Sequence, residues 1–595
     1  MEMGKEKEKT IAILIIFVSF AFLPVALDTN IKAVNPPAFF KISILVPKYN
    51  AKSNYWATIL SEQLPKIGIG VDEIKAADWS EIYQRVLDYQ EPHPIPTFAE
   101  GGYDVLIYED LNGLDFNPFF IYDSQFIEST NFLQYESQEM DLAIANYNNQ
   151  TIVADRLQWA NEIQSILYED LPSLAVVNQH SLYVHDSQLT GWNPWLWEHV
   201  YQNMANWSIP IENTLSYAQA EPTSNFHIYI YDHTWEAQWL HQIYNGLIEH
   251  NASIDGFYGP CIASEWETTD GMNYTVQLRP DVRWADGSTL NASDVEYSFL
   301  LRGNVFTHYS DYFIYKTANV TVINEYNLKI SFPYKEIFPE NLLALPIVPK
   351  HIWENIAYEN HSSQAETWAL TNPDKIFGTG PYYLFDYNKN TNTIHLKRND
   401  YYDDWSNTTP YFENIYFKYY ADKESALIDL ANGKLDIVDS AFDTDILEVL
   451  TNTSYTLVPS GKVQQIAINN QQPYIGSGEL CPIASPESAK KIRKAISFAI
   501  PRQLIADEVY QGLATPASTT WPNSALDFDE TLLPYDYKLC LAKNLMQFSG
   551  FQYCGFIDYC DPTPDPCSSP SVTINVGFSL ISITVVIIIV KRKDK

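Results

Sequence analysis

The chain has 595 residues, 46% hydrophobic and 14% aromatic, which is too long for one core and apolar enough to fill two or more. With 37 basic against 73 acidic residues the net charge is −36, and the phosphates of a nucleic acid would be repelled over the whole surface. The composition likewise lacks the low hydrophobicity of a disordered chain.

In chain order, KEKEK precedes Ile11–Leu27 (IAILIIFVSFAFLPVAL), the length of a signal-peptide core or a short membrane anchor. From Lys41, KISILVP suits a strand; Ala57, Leu60 and Leu64 fall at helical spacing, and IGIGV starts a second strand. Asp104 to Tyr108 predicts a further strand that runs into the loop EDLNGLDFNP. Val153, Leu157, Ala160, Ile163 and Leu167 form one stripe of a helix from Val153 to Tyr168; Pro172 closes it and SLAVV follows as a strand. Alternation of this kind predicts α/β layers.

After a linker-like stretch at 209–223 the pattern changes. NYTVQLR reads as a strand, ADGS as a turn, and a helix begins at Asp294 with Asn291 or Ser293 as its cap. YYLFDY and TIHLKR, separated by NKNTN, read as a hairpin. A helix from Lys423 to Asn432 ends at Gly433, LDIVDS is strand-like, and a helix from Ser488 to Ile500 is stopped by Pro501. Val576 to Val590 (VGFSLISITVVIIIV) runs straight into KRKDK, which fits a short spanning helix with a basic stop on the cytoplasmic side.

Two features agree with an outside location for what lies between. N-x-S/T acceptors, the mark of a glycoprotein, occur at Asn149, Asn206, Asn251, Asn273, Asn291, Asn319, Asn360, Asn407 and Asn452. Of six cysteines, Cys540, Cys554, Cys560 and Cys567 crowd one stretch, suggesting one or two disulfides whose pairing the sequence leaves open. No C-x2-C pair favours zinc, and G-x-S-x-G, H-E-x-x-H and G-x-x-x-x-G-K-[ST] are all missing. An enzyme is therefore not expected, and neither a metal nor a cofactor is called for.

The specific signal is a series of motifs in order. YNGLIEHN at Tyr244 leads to the long segment from Pro260 to Phe299 with its LRPDVRWADGSTLNASDVEYSF, then ALPIVPKHIW at Ala344 and GTGPYYLFDY at Gly378. LKRNDYYDDW, PYFENIYFKYYADKESALIDLANGKLDIVD, IAINNQQP, KIRKAISFAIPRQLI and YQGLATPAS complete it. Together they resemble the family 5 extracellular solute-binding proteins, the dipeptide, oligopeptide and nickel-binding components of ABC importers. The resemblance implies an α/β, two-lobed periplasmic-binding-protein-like fold of type II, of the large cluster with an extra inserted domain, with mixed sheets and helices on both faces.

The family order breaks after Phe551. The family's last third resembles instead the front of this chain: KISILVP…IGIGV, YDVLIYEDLNGLDFNPFF, the segment from Gln134 to Val177, and LTGWNPW. The chain thus reads as a circular permutant, or as the remnant of two tandem copies. The implied division is 1–39 signal peptide or anchor, 40–185 lobe two, 186–253 crossing and first strands of lobe one, and 254–372 inserted domain. It continues with 373–470 lobe one, 471–570 the rest of lobe two with the Cys-rich loop, 574–590 transmembrane anchor, and 591–595 cytoplasmic tail.

By resemblance, an acidic residue after the "yD" strand pairs with the ammonium group of a bound peptide. Asp110 holds about that place, with Asp115 as the alternative because it stands nearer the family's "DP" position; Tyr108 is beside them. Thr379 and Gly380 in the GTGPY turn, Asn469 with Asn470 on the crossing strand, and His233, Thr234 and Trp235 complete the expected cleft. The glycines also suit a purely geometric role, and Trp192, Trp195 and Trp197 suit packing as well as stacking. The expected partners are a peptide or other small solute, ABC permease subunits, and the membrane through the C-terminal segment, at the cell surface. An oligosaccharide or a nickel chelate as ligand, or a sensor or adhesin without transport, are the alternatives.

Overall fold

β-branched and aromatic residues flanked by turns produce seventeen strands among the described residues. They are β1 Phe40–Pro47, β2 Ile69–Ala77, β3 Val105–Leu111, β4 Ser173–Asp186, β5 Thr214–Gln219, β6 Ile248–His250, β7 Tyr258–Pro260, β8 Ala263–Thr268 and β9 Asn273–Leu278. There follow β10 Asn319–Asn324, β11 Asn327–Ser331, β12 Tyr382–Asn388, β13 Thr393–Arg398, β14 Asn414–Tyr419, β15 Ile437–Val438, β16 Thr453–Ile468 and β17 Ala514–Pro516. The computed structural model describes residues 36–87, 95–111, 117–127, 129–150, 153–192, 194, 204–231, 234–250, 258–305, 312–336, 338–446 and 453–553.

Eleven of these strands form one mixed sheet in the order β12-β13-β14-β5-β15-β4-β16-β3-β1-β2, with β17 added to β4. β1, β2 and β3 are mutually parallel, as are β14, β5 and β15, so each end of the sheet has α/β character. The two ends are joined by β4 and β16, fourteen and sixteen residues long and antiparallel to each other. A second sheet, β10-β11-β9-β8, belongs to the segment between β7 and β12.

The predicted helices form, and Asn291 caps the one for which a cap was expected. Asn291 and Asp294 close a reciprocal capping box at Ala292–Arg302. Asp422 caps Lys423–Ala431, and Ser485 caps Pro486–Ala499, which starts two residues before the expected Ser488 because Pro486 fits the first turn. The long helix occupies Val153–Asp170. Strand β4 runs nine residues past SLAVV, and β16 includes Pro459, Ser460 and Gly461, where the pairing shifts in a bulge and Gly461 takes φ +71°.

Two groups of core lie on either side of the β4–β16 ribbon. Lobe one is built around Trp207, Trp239, Trp284, Trp353 and the strands β5 and β8 to β15, with a smaller core under Lys423–Ala431. In lobe two, Phe40, Ile44 and Ile69 share one core with Ile492, Met546 and Phe551. Phe40 stacks on Tyr474 at 4.4 Å between centroids, and the Tyr553 hydroxyl donates to the Ile67 carbonyl at 2.9 Å. Residues near the two ends of the described chain thus pack as one body. The candidate membrane segments at 11–27 and 576–590 lie outside the described residues, and among those described no helix is long and apolar enough to cross a membrane.

Two buried guanidinium groups join the parts of lobe two. Arg502 donates to the carbonyls of Ala175, Ser497 and Tyr535 and to the Ser497 hydroxyl, and Arg493 donates to those of Asp170 and Ile475. Arg502→Met removes the guanidinium donor to the Ala175 and Tyr535 carbonyls and to the Ser497 hydroxyl and is expected to cost about 3 kcal/mol, read as a lowered urea midpoint. In lobe one, burial pushes the Asp436 carboxyl up from 3.8 to about 6 although it accepts from the Ser216 amide. The folded form holds its proton to higher pH than the unfolded form, so this group favours folding fully below about pH 4 and loses that contribution as the pH rises through 6. Asp436→Asn should remove about 3 kcal/mol of pH dependence over that window, measured as the change of unfolding free energy between pH 4 and 7.

Candidate functional site

Two adjacent glutamines on β16 show how the sheet's faces differ. Side chains alternate along a strand, so Gln464 and Gln465 point to opposite sides. Gln464 faces the helix Ala51–Gln63, where its amide oxygen accepts from Ser53 and Trp56 and its nitrogen donates to Glu109 at 2.8 Å. Gln465 is 1% exposed, and neither its oxygen nor its nitrogen has a partner. A buried amide with both ends unpaired costs roughly 1–3 kcal/mol per group, so such a side chain needs an explanation.

Its neighbours share the condition. Gln465 is in register with Tyr108 on β3 and with Ala175 on β4; two positions back on β16, Val463 pairs with Asn178. The Tyr108 hydroxyl and the Asn178 amide oxygen are buried without partners. Strand β17 lays Thr515 beside Asn178, Ala517 packs on Ala175 and Val463, and the buried Ser518 hydroxyl after it is also unpaired. Tyr122 closes one side, its hydroxyl bonded to Ser173 and Thr520. Three strands and the segment after β17 therefore turn unsatisfied donors and acceptors onto a single face.

Asp110 lies at the end of β3 opposite Val463, half-exposed. Its negative charge adds to burial in pushing the Tyr108 and Tyr122 hydroxyls up, Tyr122 to about 12. Asp110 and Tyr108 are thus brought together as expected, whereas Asp115 lies outside the described residues. On the lobe-one side, the helix Thr234–Leu240 is tied to the sheet: Gln219 donates to the Trp235 carbonyl, and the buried Asp439 carboxylate accepts from Tyr217, Gln238 and the Ala441 amide. Burial pushes the Asp439 carboxyl up. Trp235 is half-buried there; nothing of the Thr234 side chain is described, and His233, Trp195 and Trp197 lie outside the described residues.

The remaining expected residues are taken up by contacts that fix the local chain. The Thr379 hydroxyl is bonded to Asn245, and a Cβ on Gly378 or Gly380 would stand 2.2 or 2.4 Å from the carbonyls of Ile243 and Gln242. Close backbone approach accounts for the GTGPY glycines. Asn469 donates to the carbonyls of Ile95, Pro96 and Tyr103, fixing a turn of lobe two, and Asn470 donates to those of Leu133 and Pro172. Trp192 packs edge-on against His185 and Tyr183. Cys540 lies in the helix Leu539–Phe548, while Cys554, Cys560 and Cys567 are outside the described residues.

A bridge from lobe one reaches the same face of lobe two. Phe338 packs with Tyr147 and Trp521, and the Arg156 guanidinium lies 4.4 Å over its ring. Lys335 donates to the Gln150 carbonyl at 2.6 Å. These contacts hold the lobes together in front of the ribbon.

Comparison with known proteins places this geometry. Residues 258–556 match the model of bacterial extracellular solute-binding proteins, family 5 middle. The chain belongs to that family. Glutathione-binding protein GsiB of Salmonella typhi is 26% identical over 288 residues, 47% of this chain and 51% of that protein, and the Escherichia coli K12 protein of the same name is 26% identical over 290 residues. The chain spans about half the length of these curated relatives. Among solved structures, NikZ from Campylobacter jejuni with Ni(L-His) matches with TM-score 0.37 and 20% identity over 58% of this chain and 65% of that one. Oligopeptide-binding AppA from Bacillus subtilis with a nonapeptide has TM-score 0.37 and 17% identity over 57% and 64%. The family is one of extracellular binding proteins, which are not enzymes, and its mixed α/β class agrees with the sheet described above.

Sequence reasoning missed Gln465, Asn178 and Ser518. The available signal was a polar residue inside an apolar strand, as in VQQIAI and AVVN, where burial is expected and pairing is not assured. If the Phe338 contact holds the lobes shut, Phe338→Ala should remove about 3 kcal/mol from the closed arrangement and raise the radius of gyration of the ligand-free protein by X-ray scattering.

Proposed function

We propose that this chain is an extracytoplasmic, membrane-tethered solute-binding protein that captures small peptides between its lobes for an ABC importer. The observation that carries the ligand class is the row of unpaired groups on Tyr108, Gln465, Asn178 and Ser518. Taken together they offer donors and acceptors but no formal charge, which suits the N–H and C=O groups of a peptide main chain. Asp110 at the rim supplies the negative charge that an N-terminal ammonium would pair with. Glutathione, which the curated relatives are named for binding, is itself a small peptide.

The ribbon geometry supports a clamshell. Ligand entering between the face of Tyr108 and Gln465 and the helix Thr234–Leu240 is desolvated when the Phe338 contact closes over it. We assign lobe two to 40–185 and 471–570, lobe one to 186–253 and 373–470, and the insertion to 254–372. The shared core of Phe40, Ile492 and Phe551 supports the reading that the family's last third has moved to the front of the chain. Termini of such domains lie at the surface and tolerate relocation. The apolar segment before KRKDK is assigned as the tether, with permease subunits as partners on the membrane.

Thermal shift of the full-length protein against di- to pentapeptides, glutathione, oligosaccharides and nickel chelates tests the ligand class. A rise in melting temperature with peptides is expected; a rise with sugars or chelates alone refutes it. Gln465→Leu keeps the volume and removes the unpaired amide. It should raise the stability of the ligand-free protein by about 1–3 kcal/mol while weakening peptide affinity at least about tenfold. Asp110→Ala should abolish the preference for a free N-terminus over an acetylated one.

A further inference from the structure

A cavity of about 130 Å³ opens on the other side of the ribbon, lined by Lys52, His180, Asp443, Thr444, Lys462 and Tyr510 among others. In lobe two it lies on the face of Gln464 and the helix Ala51–Gln63, opposite Tyr108 and Gln465. In lobe one its wall is formed by Asp443 and Thr444, beside Leu182 and Leu513, which pack with the core under Lys423–Ala431. That core is across the sheet from Tyr217, Asp439 and the helix Thr234–Leu240. The cavity is therefore a rear pocket at the hinge, with one wall from each lobe.

Its chemistry is that of a binding site. Thr444 is 2% exposed and its hydroxyl has no partner, and the Nδ1 atom of His180 is likewise buried and unpaired. Lys52, from lobe two, lies 5.5 Å over the Tyr510 ring and pairs with no carboxylate. Asp443, from lobe one, accepts from Lys423 only through its main-chain carbonyl, so its carboxylate is unpaired. Lys462 is already shared with Glu109 at 3.3 Å. The two walls thus carry one unpaired cation and one unpaired anion, and the anion's wall adds the buried Thr444 hydroxyl.

We propose that this rear pocket is a second binding site, for a free α-amino acid. The carboxylate would pair with Lys52, the ammonium with Asp443, and Thr444 would hydrogen-bond the bound molecule. The volume suits a small amino acid and is too small for a peptide. Because the two charges come from different lobes, a bridging zwitterion fixes the hinge angle. Its binding is therefore coupled to cargo in the front cleft, and the coupling is reciprocal.

Calorimetric titration of the full-length protein with single amino acids at millimolar concentration tests the site. At least one small amino acid is expected to bind, with Lys52→Met, Asp443→Asn and the near-isosteric Thr444→Val each weakening it about tenfold. Binding by no amino acid overturns the proposal. Binding that survives the three rear substitutions but is lost in Gln465→Leu also overturns it, since the amino acid would then occupy the front cleft. Repeating a glutathione titration with the amino acid present should change glutathione affinity severalfold in the unsubstituted protein and not in Asp443→Asn; equal affinities in the unsubstituted protein overturn the coupling. A protein that binds amino acids but no glutathione or peptide refutes the front-cleft reading alone and leaves the rear site standing.

Discussion

Among the described residues, strands β4 and β16 are the connection that joins the two halves of the large sheet. Their ladder runs from Thr453 opposite Asp186 to Ala467 opposite Ser173, so each strand satisfies the other's backbone through the region where neither lobe covers it. A two-stranded ribbon of that length is strongly twisted. Midway it is interrupted: Pro459 can donate nothing to the ladder, and the pairing resumes only at Val463. The interruption breaks the regular pairing midway along the ribbon, while the ladder continues on either side of it. Hinge, front cleft and rear pocket follow from the same two strands.

The ribbon also explains why polar side chains can be buried there at all. In the outer strands each face is covered by helices, and the buried positions are apolar, as in β1. Around the crossing, Gln179 and Gln464 meet Glu109, and the network is closed on itself. On the opposite face the Gln465 amide, the Tyr108 hydroxyl and the Asn178 amide oxygen have no hydrogen-bond partner. Identical residue types one position apart thus differ in role because strand geometry sends them to opposite sides. A closed network rigidifies its lobe; an open row is free energy held in reserve for whatever supplies the missing partners.

Elements with local causes were legible in the sequence. The stripe from Val153 to Leu167, the Asn291 cap, the turn between β12 and β13 and the stop at Pro501 are each set by a few neighbouring residues, and each stands where expected. β16 was not legible as one strand, because VPSGK carries the residues of a turn in its middle. The structure uses Pro459, Ser460 and Gly461 as a bulge, and a bulge and a turn share their chemistry. β4 was cut short for a related reason: NQHS after SLAVV reads as a loop unless a partner strand from 270 residues later is known to lie beside it. Long-range pairing leaves little local trace.

The same distinction governs the candidate site. A motif points at Asp110, and GTGPY draws notice because its glycines are unusual, yet those glycines serve the approach of the chain to Gln242 and Ile243. Gln465 carried only the weak signal of a polar residue among apolar ones, and nothing in its surroundings distinguishes it from Gln464. What separates them is the face, and the face is fixed by a register between β16 and β3 that spans more than 350 residues. A binding surface assembled by such register is invisible to any reading that proceeds along the chain. It becomes visible once the hydrogen-bond partners of every buried polar atom are traced and a contiguous set is found to have none.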